Sequence, residues 1–159
     1  MEQKNMAVLM KIVIVIMGIV GIICFADIIP GLGRYFVDEY KEFSGWYMPW
    51  LIFLDLLAIP FYAILVLGWI VSSEIGRDKS FSDKNAKLIK AASVITLSAS
   101  VYFFVGNMVL FFLQKNHPGV ILASILVVFV GFAVTVGFAL LSHLIMKAAK
   151  LQEQNDLTI

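Results

Sequence analysis

Charge is what this sequence has least of. Asp, Glu, Lys and Arg make up 14% of its 159 residues, against ~25% in soluble domains. With 61% of the chain hydrophobic, too little polar surface is present to cover a water-soluble globule, and a bilayer is the solvent that fits. Cysteine occurs once, at Cys24, so an internal disulfide is excluded and no Cys/His spacing suits zinc. Ile23 precedes it, where a lipidation signal needs a small residue, so Cys24 reads as a small buried apolar side chain. The two histidines, His117 and His143, fall at opposite ends of the last hydrophobic run, which excludes a paired-histidine site within one chain. No complete catalytic, metal or nucleotide motif is present. The expectation is a non-enzyme without cofactor or metal that makes no direct contact with nucleic acid.

What is there is apolar length. Four stretches reach the ~20 residues a spanning helix needs, at about 6–29, 46–73, 91–113 and 118–146. The first contains Lys11, placed to snorkel, and Asp27 near its far end, with Pro30-Gly31 marking the exit. It exceeds a signal-peptide core and no small-x-small cleavage site follows, so an uncleaved span is expected. Asp55 is the one charge of the second span, the third has none, and His143 is the one ionisable group of the fourth. The fourth is long enough to tilt or to extend past the membrane. The expected fold is all-α, a single-domain four-helix transmembrane bundle over 1–159. It has an outer loop 30–45, a cytoplasmic loop 74–90, a tight turn at 114–118, and a helical tail that frays after Lys147.

Lys and Arg set the orientation. Nine fall on the side of the termini and of loop 74–90: Lys4, Lys11, Arg77, Lys79, Lys84, Lys87, Lys90, Lys147 and Lys150. Three fall on the other: Arg34, Lys41 and Lys115. The positive-inside rule then places both termini in the cytoplasm of a cell-membrane protein. Tyr35, Phe36, Tyr40, Trp46, Tyr47 and Trp50 gather around the first outer segment as an interfacial belt, and this segment is expected to lie on the membrane as a short amphipathic piece.

Polar groups inside the hydrocarbon need a reason. Asp55 lies about six residues, roughly 9 Å, into its span. Asp27 and Asn107 also fall in the outer third, and Arg34 is within reach. Two readings stand for Asp27, Arg34, Asp55 and Asn107. They form an outward-facing pocket for a small ligand, ion or proton, or they fix helix packing, with Asp55 protonated or bonded to Asn107. Ser93, Ser100 and Asn107 recur every seven residues on the third span. Ser124, Gly131, Phe138 and Ser142 share a face of the fourth, with Thr135 one turn from Gly131. These stripes, like Gly18 and Gly21, read as close helix contacts. Pro60 should kink the second span.

Loop 74–90 is the most distinctive segment. Gly76 reads as a helix stop, Ser82 as an N-cap, and Lys84, Lys87 and Lys90 as a basic stripe leading the third helix into the membrane. The stripe either anchors to anionic head groups or forms a docking surface for a cytoplasmic partner. The candidate partner residues are Arg77, Lys79, Phe81, Ser82, Asn85 and Lys87. The stretch Phe81-Ser82-x-x-Asn85, with Leu88 one position earlier than the pattern, resembles a bacterial membrane family called domain of unknown function 2975. Length and four-span layout resemble it too. The resemblance implies no activity, and it implies a small Cro-like helix-turn-helix regulator as partner. The leading expectation is therefore a small membrane sensor or regulator. The alternative is an oligomeric transporter or channel subunit using Asp55 as its membrane carboxylate.

Overall fold

The computed structural model describes residues 3–156, all of them in helices and their connections; the tail expected to fray after Lys147 is helical through Asp156, and 157–159 lie outside the described residues. Backbone N–H and C=O groups find no water in a bilayer core, so each apolar run satisfies them within itself as a helix. Four helical paths are long and apolar enough to cross a membrane.

The first path does not stop at Pro30. Helix α1 (Gln3–Ile23) passes through a π-helical turn, Cys24–Ile28, into α2 (Ile29–Glu39). Pro30 has no N–H, and its ring would press on the carbonyl four residues back. The wide turn, in which the Ile29 N–H reaches Cys24 O five residues back, accommodates the ring without ending the helix. The segment expected as outer loop 30–45 is thus mostly helix, followed by a 3-10 stretch, Lys41–Trp46. As expected of an amphipathic piece, α2 buries Gly33 and exposes Arg34, Tyr35, Asp38 and Glu39.

The second path breaks where Pro60 predicts. Helix α3 (Tyr47–Asp55) and helix α4 (Ala58–Ile75) meet at Leu56 and Leu57. There the Leu57 N–H takes Leu54 O and the Ile59 N–H takes Leu56 O, each three residues back. At the end of α4, Gly76 is right-handed (φ −65°). The left-handed residue is Asp78 (φ 60°), and the Asp78 and Lys79 N–H groups close the helix on Ile75 O and Glu74 O. Gly76 is needed for a different reason: a Cβ there would stand 3.1 Å from that of Ala7.

Helix α5 (Asp83–Phe112) starts at Ser82, whose Oγ accepts the Asn85 N–H at 3.2 Å. Ser82→Ala is expected to cost about 1 kcal/mol of helix stability, read as a lower apparent Tm of the detergent-solubilised chain. Helix α6 (Pro118–Asp156) has 39 residues, about 58 Å of helix, and so runs well beyond a ~30 Å hydrocarbon core.

The helices pack in chain order, α1 on α4, α4 on α5 and α5 on α6, with no comparable contact between α1 and α6. The expected four-helix bundle is therefore an open row. The α5–α6 seam is the most extensive. Along it Ser93 Oγ donates to Thr135 O at 2.9 Å and Ser142 Oγ to Ala86 O at 2.7 Å, while Gly131 lies directly against Ser100. Between α1 and α4, Ser72 Oγ donates to Ala7 O at 2.8 Å and Tyr62 OH to Gly18 O at 3.1 Å. Small and hydroxyl residues are inside, while Leu122, Leu126 and Phe129 are among the most exposed side chains. In water this arrangement would be inverted; in lipid, close backbone approach and interhelical hydrogen bonds hold the helices together.

Candidate functional site

The two ends of the row carry different chemistry. At the end opposite the termini, contacts set the register of the first two paths. Gly21 faces Phe61 and Tyr62, and Gly33 faces Tyr47 and Trp50. Asp27, in the π-helical turn, and Asp55, at the end of α3, fall at one level between those contacts. Both are exposed, as is Arg34, and none of the three makes an ion pair among the described residues. Asn107 points elsewhere. It is 2% exposed; its Nδ2 donates to Phe103 O at 2.9 Å and its Oδ1 accepts from Asn116 Nδ2 at 3.0 Å. The structure thus sets Asp27 level with Asp55 and ties Asn107 to the α5–α6 turn, without gathering all four residues into one cleft.

A half-open cleft does form beside them, between α2, the 3-10 stretch, α3 and the α5–α6 turn. Its walls are aromatic, with Tyr40, Trp46, Tyr47 and Trp50 on one side and Lys115, Asn116 and His117 on the other. Gly33 lets the walls close, because a Cβ there would stand 2.9 Å from the Tyr47 ring and 3.0 Å from that of Trp50. Lys115 Nζ lies 5.6 Å from the Trp46 ring centroid, within cation–π range. The Tyr40 and His117 rings are 6.0 Å apart. Sequence reasoning took these aromatics for a belt alone. The helical spacing of Gly33, Phe36, Val37 and Tyr40 was the available sign that α2 presents a face to something.

At the end of the termini, loop 74–90 is built around Asn85, which is fully buried. Its Nδ2 donates to Lys79 O at 2.9 Å and Ser80 O at 3.1 Å. Asn85, expected among the partner-facing residues, therefore works inward, holding the loop in shape. Ser82 works with it as the cap of α5. What the loop holds out is Phe81, 58% exposed, together with Arg77, whose side chain is 73% exposed, and Lys79. Lys87 is also exposed and pairs with Asp83 at 2.6 Å, a surface ion pair of small energetic weight. Beyond Phe81 a shallow groove opens between the loop and the α6 extension, reaching Ala149, Gln152 and Glu153.

Glu74 lies just past the apolar run of α4 and anchors this end. Its carboxylate accepts from Lys84 Nζ at 2.7 Å, with Arg77 at 4.0 Å. The Lys84 hydrogen bond holds its pKa below the ordinary 4.5, against the opposing effect of burial and with help from the charges of Lys84, Arg77 and Lys79. A depressed folded-state pKa stabilises the fold above the unfolded value, and this contribution is lost as pH falls through the folded one. Glu74→Gln is accordingly expected to lower the Tm at pH 7, with the gap from wild type closing as pH is taken well below 4.5.

Four spans, an inside-out interior and an Asn-stapled loop between the second and third spans define a small multi-pass membrane protein. The chain belongs to the family described as "Protein of unknown function (DUF2975)", whose model matches residues 31–159. It is similar to the "Uncharacterized membrane protein YoaS" of Bacillus subtilis (strain 168), 25% identical over 161 residues that cover 99% of each chain. The alignment thus takes in the first span, which lies before the residues that the family model matches. No solved structure matches.

Proposed function

We propose that this protein is a small regulatory membrane protein of the cell membrane, with both termini cytoplasmic. The outward end reads a ligand or the state of the membrane, and loop 74–90 presents the result to a soluble partner. One observation carries this reading. The family-resembling Phe-Ser-x-x-Asn stretch uses a fully buried Asn85 to brace a loop that leaves Phe81 exposed to solvent. A bare loop would bury or disorder a phenylalanine, whereas a braced loop with an exposed aromatic flanked by Arg77 and Lys79 has the make-up of a recognition surface. By family resemblance the partner is a cytoplasmic helix-turn-helix regulator. The test is photo-crosslinking in native membranes with benzoylphenylalanine at position 81, and the same residue at the lipid-facing position 126 as reference. An adduct of one defined soluble protein, seen at 81, absent at 126 and lost when Arg77 and Lys79 are changed to Ala, is the expected result. No adduct at 81 would sink the proposal.

A second reading rests on the level shared by Asp27 and Asp55, each beside a helix irregularity. Broken helices bearing carboxylates are found in transporters. An oligomer that sheltered both groups could pass a proton or cation. Proteoliposome flux of wild type equal to that of Asp55→Asn would remove this alternative.

A further inference from the structure

We propose that the aromatic cleft at the outward end is a binding site for an anionic phospholipid, with the phosphate at Lys115 and His117 and an acyl chain along the aromatic wall. The cleft lies where the spans leave the membrane, in the interfacial band that Trp and Tyr favour, so a lipid of that leaflet meets it without leaving its own layer. Its walls suit hydrocarbon: Trp46, Tyr47 and Trp50 line it, and Gly33 keeps them close. Its charge suits a phosphate. No carboxylate lines the cleft, and Lys115 makes no ion pair among the described residues. Its ammonium rests instead over the Trp46 ring, which leaves the positive charge free for an anion.

His117 adds a donor of fixed direction. The Gly119 N–H donates to His117 Nδ1 at 3.1 Å, so in the neutral ring the proton sits on Nε2, the nitrogen free to face a ligand. Asn116, between the two, is held from below by Asn107 Oδ1 at 3.0 Å, which ties the turn carrying both groups to the buried stripe of α5. A zwitterionic lipid would fill the same walls. It would bring its own ammonium to the mouth beside Lys115, and this repulsion is the source of selectivity. The inference gives a chemical class to what the outward end of the proposed regulator reads. It is measured without any soluble partner, so the lipid site and the partner loop can fail separately.

The cleft contains its own reporters, Trp46 and Trp50. The third tryptophan, Trp69, lies far off beside Lys11 and is removed by Trp69→Phe. The full chain in phosphatidylcholine vesicles is titrated with brominated phosphatidylglycerol or brominated phosphatidylcholine at equal mole fraction, and tryptophan quenching is read. The account expects phosphatidylglycerol to quench at a roughly fivefold lower mole fraction, the worth of one cation near a lipid phosphate. Lys115→Gln should abolish the preference. His117→Asn, which keeps an N-cap acceptor for α6 but lacks the Nε2 donor, should reduce it. Equal quenching by the two lipids, or an unchanged preference in Lys115→Gln, overturns the proposal.

Discussion

Asn85→Leu is expected to open the loop between the second and third spans and to remove about 2–4 kcal/mol of its local stability. Asn85, itself closed to solvent, satisfies both Lys79 O and Ser80 O through Nδ2, in bonds that are part-buried. A carbonyl stripped of its donor costs up to ~1–3 kcal/mol where it is shut from water, and leucine strips two part-buried ones at once. Leucine does spare the burial of Asn85 Oδ1, which has no partner among the described residues, and this keeps the figure below the simple sum. Asn85→Asp is expected to be no better, because a carboxylate offers no hydrogen to either carbonyl and brings a charge into a buried place. Limited trypsinolysis reads the effect directly, since Arg77 and Lys79 lie within the loop. Cleavage there should rise at least ~10-fold over wild type, the factor for 1.4 kcal/mol of opening. An unchanged rate would show that Asn85 does not hold the loop. Under the proposed function, the crosslink at position 81 should fall in step with the cleavage.

Gly131→Leu is expected to separate α5 from α6 and to cost at least 1–3 kcal/mol, the usual range for overpacking. A Cβ at Gly131 would run into Ser100 Oγ and stand 3.2 Å from Ser100 Cβ. The helix backbones cannot move apart there alone. The bonds from Ser93 to Thr135 O and from Ser142 to Ala86 O lie on the same seam, and a wedge at Gly131 strains them. Gly137, less than two turns away on α6, supplies the control: a Cβ there meets nothing within 4 Å, so Gly137→Leu should leave stability nearly unchanged. Unfolding of the two variants in mixed detergent micelles, followed by circular dichroism, should show a clear loss for position 131 alone. Equal losses at both would mean that glycine matters for lipid packing or helix flexibility rather than for the seam.

The α5–α6 seam was legible before any coordinates, because a seven-residue recurrence of Ser93, Ser100 and Asn107 leaves a helix no choice of face. The spans were legible for a similar reason: length and apolarity act locally. Pro30 misled because its local meaning, a helix stop, assumes that the freed backbone groups have water to turn to. In a membrane helix they do not, and a π-helical turn carried the chain through. Asn107 pointed to Asp55 by depth alone. Its actual partner, Asn116, sits in a turn, where asparagine usually means only a bend. Asn85 was read as partner-facing as part of the Phe81-Ser82-x-x-Asn85 stretch of loop 74–90, yet its bonds run five and six residues back along its own chain. The aromatic cleft depends on the α5–α6 turn meeting α2, a contact between segments some eighty residues apart, which no local pattern announces.

The proposed function and the lipid site share one claim, that loop 74–90 faces the cytoplasm and the aromatic cleft faces out. Cysteine accessibility tests it most directly, since Cys24 is the one cysteine to remove. In a Cys24→Ser background, Lys79→Cys and Gly45→Cys are each treated with a membrane-impermeant maleimide on intact cells. The account predicts labelling of Gly45→Cys in intact cells and of Lys79→Cys only after permeabilisation. Labelling of Lys79→Cys in intact cells, with Gly45→Cys protected, would invert the protein and contradict it.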